Sequence, residues 1–186
     1  GLTITDEQHS FGVKQRLNLV DKGINPDVLV MTATPIPRTL ALILYGDLDI
    51  SIIDSLPPGR QKIETYAVGT DYEDRIYEFI LKQIKEGRQA YIVCPLIEEN
   101  EDLDIQSAEE LYNRLKVGVF KDINISLLHG KMKQREKDDI MLAFKKNETQ
   151  ILISTTVIEV GVNVPNSNVM LIINAERFGL AQLHQL

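Results

Sequence analysis

The sequence predicts an α/β fold, a parallel sheet with flanking helices, and two observations predict it. Short continuous apolar runs recur along the chain, at Asp27–Thr32, Ala90–Cys94, Ile151–Ser154 and Val169–Ile173. Strands covered on both faces read this way. Between them lie segments with helical spacing, set off by chain breakers, which is the alternation of strand–helix–strand units. The period by itself is common to several parallel α/β folds and does not choose among them.

The elements follow in order. Leu2–Thr5 reads as the end of a strand and Asp27–Thr32 as a second strand. Thr39–Leu44 has helical character, and Ile50–Ile53 is expected to be extended. Leu56-Pro57-Pro58-Gly59 then breaks the chain, because proline and glycine punctuate regular structure. A boundary placed there gives domains 1–58 and 59–186. In the second, Lys62–Val68 alternates as a strand would. Tyr72–Lys85 carries Ile76, Phe79, Ile80 and Ile84 at helical spacing, with Gly87 as its C-cap. Ala90–Cys94 is a buried strand, Ala108–Phe120 a helix, Ile123–Leu128 a strand and Gln134–Phe144 a helix. Ile151–Ser154 is a strand, Val169–Ile173 is another buried strand, and Leu180–Leu186 opens a helix.

The 186 residues, 44% of them hydrophobic, suffice for one domain and part of another. No run of about 20 apolar residues is present to span a membrane, and Gly1–Asp6 lacks the basic region of a signal peptide. Cys94 is the only cysteine, so no internal disulfide framework exists and a reducing, cytoplasmic setting is expected. The net charge of −7 argues against coating nucleic acid by bulk charge. It leaves room for a local grip on a backbone by amides, hydroxyls and a few lysines. The acidic stretches Glu98–Asp104 and Glu109-Glu110 are expected to form a solvated surface.

Three motifs follow buried strands. Asp6-Glu7-Gln8-His9 places two carboxylates at a strand end. There one can hold Mg²⁺, usually through water, while the other orients or deprotonates an attacking water. Taken on its own, the tetrapeptide reads first as an ordinary charged loop after a strand. Thr32-Ala33-Thr34-Pro35-Ile36-Pro37-Arg38-Thr39 joins threonine hydroxyls to a backbone stiffened by two prolines, which serves a helix N-cap as well as a coupling element. Ser154-Thr155-Thr156 opens a longer stretch in which Gly161 allows close backbone approach, followed by Asn163 and Pro165. Such a loop suits a phosphodiester on one side and a nucleotide on the other. His129-Gly130-Lys131-Met132 precedes a helix with Lys133, Arg135 and Lys137. That is a seat for a backbone phosphate, or a solvated helix face.

Together and in this order the segments resemble superfamily 2 helicases of the DExH type. DEQH resembles their motif II, TATPIPRT motif III, YIVCPLIEE motif IV, ISTTVIEVGVNVP motif V and QLHQL the opening of motif VI. HGKM with Arg135 resembles the segment between IV and V. FGVKQR at Phe11–Arg16, MTATPIPRTLAL at Met31–Leu42 and YGDLDISIIDSLPPGR at Tyr45–Arg60 resemble the RecG type in particular. The transcription–repair coupling translocases share TATPIPRTL and are the alternative family. A non-catalytic RecA-like binding module is the alternative of another class. One departure is Ser10, where the family has arginine; serine cannot make that residue's bidentate contact.

The resemblance implies a RecA-like second helicase lobe over 59–186, preceded by the back half of a first lobe over 1–58. It implies an ATP-driven enzyme that translocates on duplex DNA and remodels forks and Holliday junctions in repair and recombination. Carried over by residue, Asp6 holds Mg²⁺ and Glu7 activates water. His9 faces Gln185, and Thr32 and Thr34 couple hydrolysis to lobe movement. Gly161 and Asn163 lie near ATP. Thr155, Thr156, His129, Gly130, Lys131 and Arg135 meet the DNA backbone. The partners implied are ATP and branched or duplex DNA, with no membrane. The sequence contains no G-x-x-x-x-G-K-[ST] loop to cradle phosphates, so this polypeptide alone is expected to lack ATPase activity as a fragment of a larger motor. Residues 1–58, with few strands to bury against, are expected to pack loosely.

Overall fold

A computed structural model describes residues 1–6, 26–32, 49–55, 62–95, 101–155 and 164–186, the side chains of residues 101 and 181 excepted. Backbone contacts divide the chain into two compact units, Gly1–Lys62 with Leu180–Leu186, and Ile63–Gly179.

In the first unit, β1 (Leu2–Thr5) pairs in parallel with β2 (Asp27–Val30). The ladder continues past the strand ends, with the Met31 N–H donating to Thr5 O at 2.8 Å. Leu2, Ile4, Leu29, Ile52 and Ile53 remain exposed. Ile50–Ile53, expected to be extended, belongs to no strand. The helical expectation for Thr39–Leu44 lies outside the described residues.

The second unit is a four-stranded parallel sheet. Its elements are α1 (Glu73–Lys85), β3 (Gln89–Cys94), α2 (Glu101–Val117), β4 (Ile125–Leu128), α3 (Gln134–Lys145), β5 (Ile151–Thr155) and β6 (Ser167–Ile172). The spatial order is β4-β5-β3-β6, every pair parallel. The chain leaves β3 toward β4 and later leaves β5 toward β6, so the direction of winding reverses between the two inner strands. Their carboxyl ends are where an open parallel sheet forms its ligand crevice.

Side chains alternate along each strand, and the two faces are packed separately. Ala90, Ile92 and Cys94 of β3 and Ile151 and Ile153 of β5 join Tyr77, Ile80 and Ile84 of α1 and Ala108 and Leu115 of α2. On the other face Leu128 and Leu152 meet Phe144 of α3, whose ring stands edge-on to Tyr91 at 4.8 Å. Helix α1 stops where expected. Gly87, at φ 82°, donates to Ile84 O at 2.9 Å, and the Arg88 N–H donates to Gln83 O at 3.0 Å. This is the paired Schellman closure, which needs a left-handed residue.

Two expectations are corrected here. Lys62–Val68 forms no strand, and Ile63 and Tyr66 are about three-quarters exposed, at 74% and 77%. Alternation is shared by any extended chain, and ladder hydrogen bonds are what make it a strand. The helix expected at Ala108 starts instead at Glu101. The acidic residues there suit the positive end of a helix dipole, and the turn buries Asp104 to 3% exposure rather than leaving it solvated.

Candidate nucleic-acid interface

The carboxyl edge of the second unit's sheet gathers several of the residues singled out from sequence. β4 ends at Leu128, paired in register with Ser154, so the next step carries His129 alongside Thr155. β3 ends at Cys94, which pairs with Thr155 on the other side.

Thr155 is fully buried. β5 is an inner strand, and the alternation turns this side chain to the same face as Ile151 and Ile153, beneath the helices. The expectation that Thr155 touches a DNA backbone is therefore corrected for this structure: it offers no surface to a phosphate. Its hydroxyl is buried without a hydrogen-bond partner among the described residues, and so is Nδ1 of His129. Ser154 closes the strand end by donating from Oγ to Thr155 O at 2.7 Å. Cys94 is buried beside them, and desolvation pushes its thiol up to about 11.

The loop after β4 is held from two helices. The Met132 N–H donates to His129 O at 3.2 Å, making a turn. Lys137 of α3 donates from Nζ to Gly130 O at 2.6 Å, so this lysine is a tether for the loop. The Glu136 carboxylate accepts from the Lys133 N–H at 3.1 Å, closing the first turn of α3. That hydrogen bond leaves fewer open amides at the helix start. From α2, Asp102 accepts from Lys131 Nζ, and Glu109 Oε1 stands 4.0 Å from His129 Nε2. The latter is beyond hydrogen-bond length and within Coulombic reach. Lys131 and Arg135 are exposed, and His129 and Gly130 are half-buried. Sequence reading took the α2 carboxylates for an independent solvated patch. With Asp102 and Lys131 29 positions apart, no local pattern signals that they meet.

In the first unit the parallel register sets Asp6 next to Met31, with Thr32 one residue farther along the same edge. Both are exposed. Gln185 ends a short helix, α4 (Leu180–Gln185), and groups into this same unit, as does His184. Among the described residues no group of three or more His, Cys, Asp or Glu is arranged to hold a metal. Mg²⁺ at a nucleotide site needs only one or two carboxylates besides the phosphates, and the exposed Asp6 at the carboxyl end of β1 fits that requirement. Glu7, His9, Ser10, Thr34, Thr156, Gly161 and Asn163 lie outside the described residues. No described helix is long and apolar enough to cross a membrane.

Comparison with known proteins agrees with this architecture. The family model described as the helicase conserved C-terminal domain matches residues 72–186. The chain is 58% identical over 185 residues to the ATP-dependent DNA helicase RecG of Bacillus subtilis (strain 168), covering 100% of this chain and 27% of that protein. It is 53% identical to RecG of Escherichia coli (strain K12), again covering 100% of this chain and 27% of the relative. The chain thus spans about a quarter of the length of these curated relatives. A solved structure of RecG bound to a three-way DNA junction aligns with a TM-score of 0.73 at 50% identity, over 100% of this chain and 23% of that one. Yeast Dbp5 bound to RNA and ADP BeF3 aligns with a TM-score of 0.62 at 15% identity, over 99% of this chain and 48% of that one. The second likeness is one of fold, the RecA-like parallel α/β arrangement.

Proposed function

From the premise that this chain belongs to the helicase conserved C-terminal domain family, we propose that it is the central piece of an ATP-driven DNA helicase or translocase acting on branched DNA. The observation that carries the reading is 50% identity across the whole chain to a protein solved on a three-way junction, in a fold whose carboxyl edge bears the loop after β4. Residues 1–58 are assigned to the back part of a first RecA-like lobe and residues 59–186 to a second lobe.

The DNA backbone lies along the carboxyl edge of β4 and β5. The exposed Lys131 and Arg135 supply charge-assisted contacts to phosphate, and the turn at His129-Gly130 brings the backbone amides close. Thr156 shares this contact. Thr155, being buried, acts from beneath as a positioning residue for the end of β5.

In the first unit, Asp6 would hold Mg²⁺, which would supply charge neutralisation at the nucleotide phosphates, and Glu7 would position the hydrolytic water. Thr32 and Thr34 transmit the state of the phosphate site, His9 and Gln185 face each other across it, and Gly161 and Asn163 approach the nucleotide. Asp6 and Thr32 lying close together at the carboxyl edge of β1 and β2 supports their share of this grouping. ATP binding and hydrolysis then alternate the grips on DNA, in a cytoplasmic setting serving repair and recombination.

The test is DNA-stimulated ATP hydrolysis by the full-length parent protein, on forked against linear duplex. Stimulation larger on the fork is expected, and so is its loss in Glu7→Gln. An ATPase indifferent to DNA would refute the reading. The isolated 186-residue chain, without a phosphate-cradling glycine loop, is expected to show no turnover.

A further inference from the structure

We propose that Asp102 on α2 is an internal competitor for DNA phosphate at Lys131 and so sets how tightly, and with what salt dependence, this edge holds DNA. This rests on the reading that Lys131 meets the backbone.

The geometry is specific to these residues. Lys131, within the turn that leaves β4, donates its ammonium to the Asp102 carboxylate, 29 positions away in sequence. A second carboxylate of the same helix, Glu109, faces His129 at 4.0 Å. The α2 acids thus front the loop from one side, while Lys137 fastens it from the other by its bond to Gly130 O. Asp102 is the more exposed partner of its pair, at 80% side-chain exposure against 46% for Lys131. A phosphate approaching the lysine therefore meets an ammonium already bonded to a carboxylate. The carboxylate does the phosphate's job in the free protein: it orients the ammonium and cancels its charge, so that DNA binding exchanges one anion for another. A cation already neutralised gathers little extra free energy from counterion release on the DNA. In a chain carrying net charge −7, such a pair restrains indiscriminate adhesion to duplex while leaving the loop shaped for a well-placed backbone.

The experiment uses the full-length parent protein and fluorescein-labelled three-way junction DNA, with dissociation constants measured by anisotropy over a series of salt concentrations. Asp102→Asn keeps the size and hydrogen-bonding shape of the residue and removes its charge. It is expected to tighten binding about two- to five-fold at low salt, the scale of an exposed ion pair. The slope of log K against log salt should steepen by up to about 0.9, one additional phosphate contact. Lys131→Ala should weaken binding, and in the double variant the Asp102→Asn gain should vanish. Glu110→Gln removes the same charge from the same helix at a residue that bonds Gln106 instead, and should leave the slope unchanged. If Asp102→Asn leaves affinity and slope unchanged while Lys131→Ala weakens binding, the competition is refuted and the DNA seat stands. An equal gain from Glu110→Gln also refutes it, because bulk charge is then the cause. If Lys131→Ala and Arg135→Ala both bind as the unaltered protein does, it is the reading of this edge as a DNA seat that fails.

Discussion

Gln89 is the residue whose loss the scaffold should feel most sharply. It is a polar side chain at 1% exposure, at the first position of β3. Its Nε2 donates to Phe144 O at 2.6 Å and to Thr149 O at 2.8 Å. It therefore ties the inner strand to the last turn of α3 and to the approach to β5. Gln89→Leu keeps the volume and removes both donors. The Phe144 carbonyl retains the Asn147 N–H at 3.0 Å, so that loss is about 1 kcal/mol, whereas the Thr149 carbonyl is left as a buried acceptor at about 1–3 kcal/mol. Asn166, which donates to Gln89 Oε1 at 3.2 Å, keeps its bond to Gly87 O at 2.8 Å and adds little. The sum is about 2–4 kcal/mol. Equilibrium urea unfolding followed by far-UV circular dichroism should show a midpoint lower by about 1–2 M, given slopes of about 1–3 kcal/mol/M. A loss below about 0.5 kcal/mol at unchanged slope would refute this account, because the buried hydrogen bonds would then carry no net stability.

Two further outcomes follow from local geometry. Gly87→Ala meets no neighbouring atom but must adopt φ 82°, so it should cost about 1–2 kcal/mol through backbone strain alone, measured by the same urea titration. Cys94, the single cysteine, is buried with its thiol raised from 9.0 to about 11. It should resist a thiol reagent at pH 8 in the folded chain and react fully in denaturant, and rapid native labelling would contradict its burial. The sign of its linkage is definite: the unfolded thiol ionises first, so stability is full below pH 9 and falls between pH 9 and about 11. Cys94→Ala should flatten that fall only in part. The Tyr77 hydroxyl, held neutral chiefly by burial and then by its bond to Glu73, acts in the same sense.

The residues explain which features were legible beforehand. Ala90–Cys94 and Ile151–Ser154 could be read as buried strands because a strand covered on both faces needs an unbroken apolar run, but the same signal at Asp27–Thr32 and Val169–Ile173 falls on strands whose residues are exposed or half-buried. Gly87 was legible as a stop because the Schellman closure selects for it. Lys62–Val68 was misread because alternation reports extension and says nothing of a partner. Asp104 was misread because composition cannot tell a carboxylate on the buried side of a helix from its exposed neighbours. At the site, the place of the loop between β4 and a helix was legible; that it seats a phosphate is the proposal. The burial of Thr155 was not legible, because it depends on β5 being an inner strand beneath two helices. Nor was the Asp102–Lys131 pair, which exists only because α2 packs back over β4 and β5. Long-range geometry of this kind leaves no mark in a local window of sequence.

The central claim is that DNA lies along the carboxyl edge of β4 and β5. Amide hydrogen exchange of the full-length parent protein, with and without three-way junction DNA, tests it most directly. Slowed exchange across residues 129–135 when DNA is added is the predicted result. Exchange unchanged across those residues, with protection confined to other parts of the protein, would contradict it.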